Sequence, residues 1–164
     1  MRLFTLLIVA LLAMPIAARA TAQIPDEILI DGERSPLFSE PFSMFLQVTD
    51  STKKLEPFLN EYPCSASWRG HAAFWEVRAD QLVLVKLVAN PCDERPKEIP
   101  LATFFPGNEG PVTATWYTGE LVLPRGKLVQ YRHLGYASRY ERYVILSVQN
   151  GLVFARREAS EPSK

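Results

Sequence analysis

The sequence predicts an all-β protein, a single antiparallel β-sandwich or small barrel with one or two short helical turns. Apolar segments of strand length recur along the 164 residues, and polar or proline-rich segments separate them. Two of these segment pairs are joined by Asp31-Gly32 and Asn150-Gly151, dipeptides that favour two-residue hairpin turns. Helical periodicity is scarce. Short strands joined by tight turns are typical of sandwiches and small barrels.

Residues 1–22 have the pattern of a cleaved secretory signal peptide. Arg2 precedes an apolar run from Leu3 to Leu12, and the small-residue triplets "ARA" and "ATA" end at Ala20 and Ala22. The run is shorter than the roughly 20 residues that span a membrane. We therefore expect cleavage after Ala20 or Ala22, no membrane span in the mature chain, and a periplasmic or secreted protein.

The remaining chain fits one β-rich domain at residues 23–158, followed by a flexible polar tail at residues 159–164. Without Arg2 and Arg19 it holds 16 basic and 18 acidic residues, a near-neutral balance that gives no reason to expect a nucleic-acid partner. Residues 23–61 carry eight acids and three bases, whereas residues 125–157 carry seven bases and one acid. Either the opposite charges of these two segments neutralise each other in the fold, or the basic segment attracts an acidic partner to the C-terminal half.

The N-terminal half contains two predicted hairpins and the best helix candidate. "ILIDGERSPLF" predicts the first hairpin, and "SEPFSMFLQV" predicts a short helix with Ser39 or Glu40 as its cap and Pro41 in its first turn. "AAFWEVRADQLVLVKLV" predicts two strands joined near Ala79-Asp80. The second of them is apolar on both faces except for Lys86, as expected of a central strand.

The C-terminal half predicts a loop and then further strands. "ANPCDERPKEIP" is a loop, and "PLATFF" is a candidate helical turn. "VTATWYTGELVLP" is a predicted strand with Gly119 as a candidate bulge, and Pro124–Lys127 is a predicted turn. "KLVQYRHL" is the next strand, and "YVILSVQNGLVFARRE" is the last hairpin.

Cys64 and Cys92 are the only cysteines. An even number of cysteines in an exported chain predicts one disulfide. Two cysteines without a nearby "CxxC" or "HxxxH" pattern do not suggest a metal site, and we expect no metal and no cofactor.

Several segments together resemble a family of small, often exported bacterial proteins without known chemistry. They are "DEILIDG", "WRGHAAFWEV" followed by "LVLVKL", and "ATWYTGELVLPRGKLVQYRHLGYASRYER". In pattern form the family segments read "WRGxxAxWEV" and "ATWYTGELxxPxGKLxxYxHxGYxSxYE". The resemblance implies a β-rich bacterial domain and implies no activity.

Catalytic signatures are absent from the sequence. It lacks nucleotide-binding, "HExxH" and "GxSxG" motifs, so His71 and His133 are expected to be structural. Glu76 and Glu120 lie next to aromatic residues and form a candidate carboxylate pair for glycoside hydrolysis. The alternative is that both are ordinary solvent-facing residues of half-buried strands.

Arg69, in "SWRG" at residues 67–70, stands between an aromatic residue and a glycine just before a strand. Its guanidinium could bind the carboxylate of a ligand through two hydrogen bonds. The alternative is an internal ion pair or stacking on an aromatic ring. The sequence leaves both open, and we include Arg69 among the candidate binding residues.

The segment "YRHLGYASRYERY" at residues 131–143 concentrates aromatic and cationic side chains, which are frequent at binding hot spots. It is either a contact surface or a structural cap over the end of the sheet. The candidate binding residues here are Tyr131, Arg132, His133, Tyr136, Arg139 and Tyr140.

These observations favour an exported, non-catalytic binding protein. We expect a protein partner in the bacterial envelope, which would make the chain an inhibitor or an immunity-type protein. One alternative is a glycan- or cell-wall-binding module that uses Trp75, Trp116 and tyrosines. A third is a hydrolase that uses Glu76 and Glu120.

Overall fold

The computed structural model describes residues 21–108 and 110–162, so nearly all of the predicted signal peptide lies outside the described residues. Strands dominate and form one sheet. They are β1 (Asp26–Ile30), β2 (Glu33–Leu37), β3 (His71–Arg78), β4 (Gln81–Ala89), β5 (Lys97–Ile99), β6 (Val112–Thr113), β7 (Gly119–Gln130), β8 (Arg139–Gln149) and β9 (Leu152–Ala159). The all-β prediction is confirmed.

The strand order is β2-β1-β3-β4-β9-β8-β7, and the short strands β5 and β6 both pair with β4. Among the nine strands of the described residues, every pairing is antiparallel except that of β1 with β3, where Ile28 lies opposite Trp75 in a parallel register. The sheet is therefore mixed. The two N-terminal hairpins are joined by a long connection with helical segments, which allows parallel neighbours.

The two edges of the sheet come together. The backbone N–H of Phe38, just after β2, donates to the carbonyl of Val122 in β7 over 2.8 Å. The Ser39 hydroxyl donates to the carbonyl of Glu120 and accepts from the N–H of Val122. These bonds continue the pairing beyond β2 and close the sheet into a barrel-like shape, one of the two predicted architectures.

The core fills the interior of this curved sheet with side chains from β3, β4, β7 and β8. Its largest fully buried members include Trp75, Leu84, Leu121 and Leu123. The predicted helix is α1 (Pro41–Val48), with Glu40 at its N-cap and Pro41 in the first turn, but Glu40 makes no side-chain cap bond. Helix α1 packs Phe42 and Phe45 against Phe104.

The predicted hairpin turns are confirmed. Asp31 and Gly32 have φ angles of 53° and 77°, and Asn150 and Gly151 have φ angles of 49° and 80°. Two consecutive positive φ angles are the requirement of a type I′ turn. At Gly151 a side chain would also collide with the backbone, because a Cβ would lie 2.8 Å from the carbonyl oxygen of Ala114.

The predicted turn at Pro124–Lys127 is wrong. Strand β7 runs through it, and the pairing with β8 is irregular between Arg125 and Leu128. Gly126 has a φ of 76°, so the glycine relieves a bulge inside the strand and does not end it. The strand ends at Gln130, so the part of "KLVQYRHL" after that residue is loop.

One further local prediction needs correction, and one short helix was not predicted. Ala114–Thr118 was predicted as strand but forms a turn, because β7 begins only at Gly119. A 3-10 helix at Thr52–Phe58 was not predicted, since it is short and contains Pro57. The candidate turn in "PLATFF" is present as a 3-10 helix at Leu101–Thr103.

The predicted disulfide between Cys64 and Cys92 is confirmed, with Cα atoms 6.5 Å apart. It ties the segment before β3 to the loop after β4. Next to it, the Asn90 side chain bonds the N–H of Asn60 and the carbonyl of Phe58 at 3.0 Å each. Among the described residues, no helix is both long and apolar enough to cross a membrane.

Candidate binding surface and buried charge cluster

Arg69 lies inside the protein, in an internal ion pair. Its Nη1 donates to Asp26 Oδ1 at 3.0 Å, and its Nη2 donates to the carbonyl of Ile24 at 3.2 Å. Its Nε lies 3.5 Å from Glu40 Oε1. The glycine after Arg69 has a φ of 70° and turns the chain into β3, which directs the guanidinium under the N-terminal segment.

Asp26 is the centre of this charge cluster. The N–H of Ala73 donates to its Oδ1 at 3.1 Å, and the indole Nε1 of Trp75 donates to its Oδ2 at 3.0 Å. Burial raises the pKa of Asp26, while the Arg69 guanidinium and the two N–H donors oppose this rise. The cluster fixes the start of β1 to β3, so its arrangement is that of a structural network.

Tyr136 borders the same cluster. Its ring stacks on Phe38 with centroids 5.1 Å apart, and its hydroxyl is buried. Burial raises the pKa of the Tyr136 hydroxyl. Tyr140 also contacts Phe38 edge to face, at 5.8 Å. These two candidate binding residues hold their loop against the end of the barrel.

Further bonds fix the loop from Tyr131 to Ser138. The Ser138 hydroxyl accepts from the N–H of Arg132 and donates to its carbonyl. The N–H of Gln23 donates to the carbonyl of Gly135 at 3.3 Å, and Ala22 forms a bridge with Gly135. The hydroxyl of buried Tyr143 accepts from the N–H of Tyr140 at 3.0 Å. The loop is ordered although it lies outside the sheet ladder.

Residues 128–134, which follow the bulge at Gly126, are exposed, and many of them are apolar. The exposed fractions are 47% for Leu128, 62% for Val129, 50% for Tyr131 and 68% for Leu134. Arg132 and His133 are exposed beside them, and the His133 ring lies edge to face on Tyr131 at 4.6 Å. We call residues 128–134 the rim surface.

The sequence-predicted site residues therefore separate into two groups. Tyr131, Arg132 and His133 belong to the rim surface, whereas Arg69, Tyr136 and Tyr140 pack within the protein. Arg139 is exposed and pairs with Glu161 at 3.3 Å. Leu128, Val129 and Leu134 were missed because "KLVQYRHL" predicts a strand of the sheet. The sequence signal that could have found them is the presence of apolar residues on both faces of that segment.

The two tryptophans of the glycan alternative pack against each other at the core, with ring centroids 6.5 Å apart, whereas the two glutamates of the hydrolase alternative lie on different strands. Trp75 is 1% exposed, and Trp116 donates its indole N–H to the carbonyl of Pro41, so Trp75 offers no surface for a sugar. Glu76 pairs with Arg78, and Glu120 pairs with Arg157 at 3.1 Å. Along the sheet, β4, β9 and β8 separate the strands that carry the two glutamates, and β1 and β2 separate them on the side where the sheet closes.

Comparison of the chain with protein-family models, with curated proteins and with solved structures found no match. Among the described residues, no group of three or more histidine, cysteine or acidic side chains could hold a metal ion.

Proposed function

We propose that this protein binds another protein through the rim surface. The observation that carries the proposal is the exposure of four large apolar side chains within seven consecutive residues, Leu128, Val129, Tyr131 and Leu134. Contiguous exposed apolar patches on soluble proteins mark interaction sites. Tyrosine at the centre of such a patch adds a large contact area with a polar tip.

The anchoring of the rim surface supports binding without a large ordering cost. Its C-terminal flank is fixed by Tyr136, Ser138 and Tyr143, and its N-terminal flank belongs to β7. A surface that is ordered before binding loses little conformational entropy when a partner docks. Lys127 directly precedes it and Arg132 lies within it, and these basic side chains favour an acidic partner.

The proposed setting is the bacterial envelope, and the proposed role is that of an inhibitor or immunity-type protein. The disulfide and the N-terminal sequence pattern support an exported protein. A preformed surface on a small, cross-linked domain suits a role in which the chain blocks an enzyme without acting as one.

Export itself is tested by mass spectrometry of the protein recovered from the bacterial periplasm, which should begin at Thr21 or Gln23. Recovery of the intact Met1 form in the membrane would contradict export.

A site-specific photo-crosslink tests the contact surface. Benzoylphenylalanine at Tyr131 should give one defined cross-linked product in periplasm, because the ring is exposed at the centre of the rim surface. The matched control is the same residue at Phe154, an equally exposed aromatic position on β9. The product should disappear when Leu134→Asp is added, while the thermal midpoint stays unchanged. Equal products from both positions, or a product that survives Leu134→Asp, would refute this surface.

A further inference from the structure

Strand β9 has an edge that the rest of the sheet leaves open. It pairs with β8 from Leu152 to Ala159, but with β4 it pairs only at Leu152, opposite Gln81. The N–H of Val153 then donates to the carbonyl of Asp80 at 2.7 Å. The short strands β5 and β6 take up other positions along the same edge of β4. Among the described strands no other one pairs with β9, so its part beyond Val153 is an edge strand.

This part of β9 lies at the protein surface. The residues from Phe154 to Glu158 are exposed, and Phe154 is exposed to 63%. An edge strand presents backbone N–H and C=O groups that can pair with a strand of another chain. Charged side chains can prevent such pairing by repelling the incoming strand. The charges of β9 have both signs, since Glu158 follows Arg156 and Arg157. They therefore attract a strand whose charges are in the matching order.

The order of side chains in β9 is complementary to itself. Opposite residues of an antiparallel pair lie on the same face, with Cβ atoms about 5 Å apart. When two copies of β9 pair with Arg157 on the two-fold axis, each Arg156 lies opposite Glu158 of the second copy. Each Ala155 then lies opposite Ala159 of the second copy, so two small residues meet on either side. Moving the axis to Arg156 or to Glu158 removes both of the opposite-charge pairs.

Arg157 meets its own copy at the axis, but its charge is balanced within each chain. Its guanidinium lies 3.1 Å from Glu120 Oε1. Two such ion pairs carry no net charge toward each other. Arg156 lies beside Asp31 of its own chain, and its side chain is 51% exposed, which leaves room for a second carboxylate.

We propose that two copies of this protein associate through antiparallel pairing of their β9 strands over Ala155–Ala159. The contact is isologous, because the same strand contributes to both sides, and it joins two sheets into one. Strand β8 lies between β9 and β7, so the rim surface is not part of this contact. The association does not depend on the rim surface, and a dimer presents two rim surfaces to partners.

Sedimentation velocity of the mature, disulfide-bonded protein tests the association. The pairing covers a short stretch of each chain, so the interface is small, and we expect dimers at roughly 0.1 mM that dissociate on dilution. Leu134→Asp changes the rim surface and should leave the dimer in place. A protein that remains monomeric at about 1 mM would overturn the proposal. So would a dimer that Leu134→Asp abolishes, because the rim surface would then be the contact.

Charge reversal locates the contact on β9. Glu158→Arg places two arginines opposite each other, and Arg156→Glu places two glutamates opposite each other. Each variant alone should therefore dimerise at least about tenfold more weakly. An equimolar mixture of the two variants should recover dimers, because both cross-strand pairs then join opposite charges. Both residues are exposed, and circular dichroism checks that the variants keep the fold.

Glu56→Arg is the matched control for the change in charge. Glu56 is exposed on the 3-10 helix at Thr52–Phe58, so this variant should dimerise like the unmodified protein. Normal dimerisation of Glu158→Arg and Arg156→Glu would contradict pairing through β9. A mixture of these two variants that stays monomeric would contradict the register centred on Arg157.

Benzoylphenylalanine at Phe154 gives an independent measurement. In the paired strands Phe154 lies opposite Ser160 of the second copy, at the end of the contact. Illumination of the purified protein at the concentration at which it is dimeric should give a product of twice the mass of the chain. This mass distinguishes it from the product that a partner forms at Tyr131. Dimeric protein that yields no such product would place the contact elsewhere and overturn the proposal.

Discussion

The Arg69 guanidinium and the Asp26 carboxylate meet at 3.0 Å inside the protein, where their side chains are 5% and 0% exposed. Removing one partner leaves the other charge buried and unpaired. We therefore expect Arg69→Met to lower the free energy of unfolding by about 3–5 kcal/mol. Urea denaturation measures this change.

A surface pair is the matched control for that variant. Arg34 lies 3.7 Å from Glu27, but both side chains are largely exposed. Arg34→Met should therefore cost at most about 1 kcal/mol. Combining Arg69→Met with Asp26→Asn should cost less than the sum of the single variants by at least about 1 kcal/mol. The reason is that each single variant leaves one charge buried without its partner, whereas the double variant removes both charges. Additive effects would contradict a direct pairing.

The ion pair also shows why local patterns predicted the turns but not the charge cluster. A type I′ turn depends on two adjacent residues, such as Asn150-Gly151, so it can be read from the sequence. Arg69 and Asp26 are 43 residues apart and meet because β1 pairs in parallel with β3. The sequence left internal pairing of Arg69 as one of two alternatives and could not identify its partner.

The rim surface depends in a similar way on information that a local pattern lacks. "KLVQYRHL" alternates like a strand, and alternation alone does not tell whether a second layer covers it. In the fold, the part of β7 after its bulge pairs with β8, and Leu128 and Val129 are both exposed. Exposure on both faces is therefore a result of the three-dimensional arrangement.

His71 should make stability depend on pH below neutrality. Burial, and then the Arg69 charge, lower its folded-state pKa from 6.5 to about 4. Between these values the unfolded chain binds a proton that the folded protein does not, so its contribution is complete above pH 6.5 and is lost as the pH falls toward 4. The loss amounts to about 3 kcal/mol.

Urea denaturation at several pH values measures this dependence. The groups that face His71 are Arg69 and Glu40, and both are retained in His71→Asn. This variant keeps a hydrogen-bond donor without titrating near neutrality, so its stability curve should be flatter than that of the unmodified protein between pH 6.5 and 4. Parallel curves would show that His71 has an ordinary pKa in the folded protein.

The disulfide should contribute measurably to stability without determining the fold. The bond closes a loop of 28 residues, for which the chain-entropy model gives about 3–4 kcal/mol. Replacing both Cys64 and Cys92 with serine should lower the unfolding free energy by this amount and leave the β-type circular dichroism spectrum in place. Loss of that spectrum would mean that the core cannot fold without the cross-link.

Tyr131 and Tyr136 should respond oppositely to truncation, although they are five residues apart. Tyr136 stacks on Phe38 and buries its hydroxyl next to the charge cluster, so Tyr136→Ala should leave a void and cost about 2 kcal/mol or more of unfolding free energy. Tyr131 is half exposed, and Tyr131→Ala should change stability by at most about 0.5 kcal/mol. For the partner that the crosslink identifies, the free energy of binding should instead weaken by about 2 kcal/mol for Tyr131→Ala, as at a binding hot spot. Arg139→Ala is the control for the loop as a whole. The exposed pair of Arg139 with Glu161 lies outside the rim surface, so this variant should change neither stability nor affinity.

A large loss of stability from Tyr131→Ala would assign the whole segment a structural role. An unchanged affinity in the same variant would move the contact away from the rim surface.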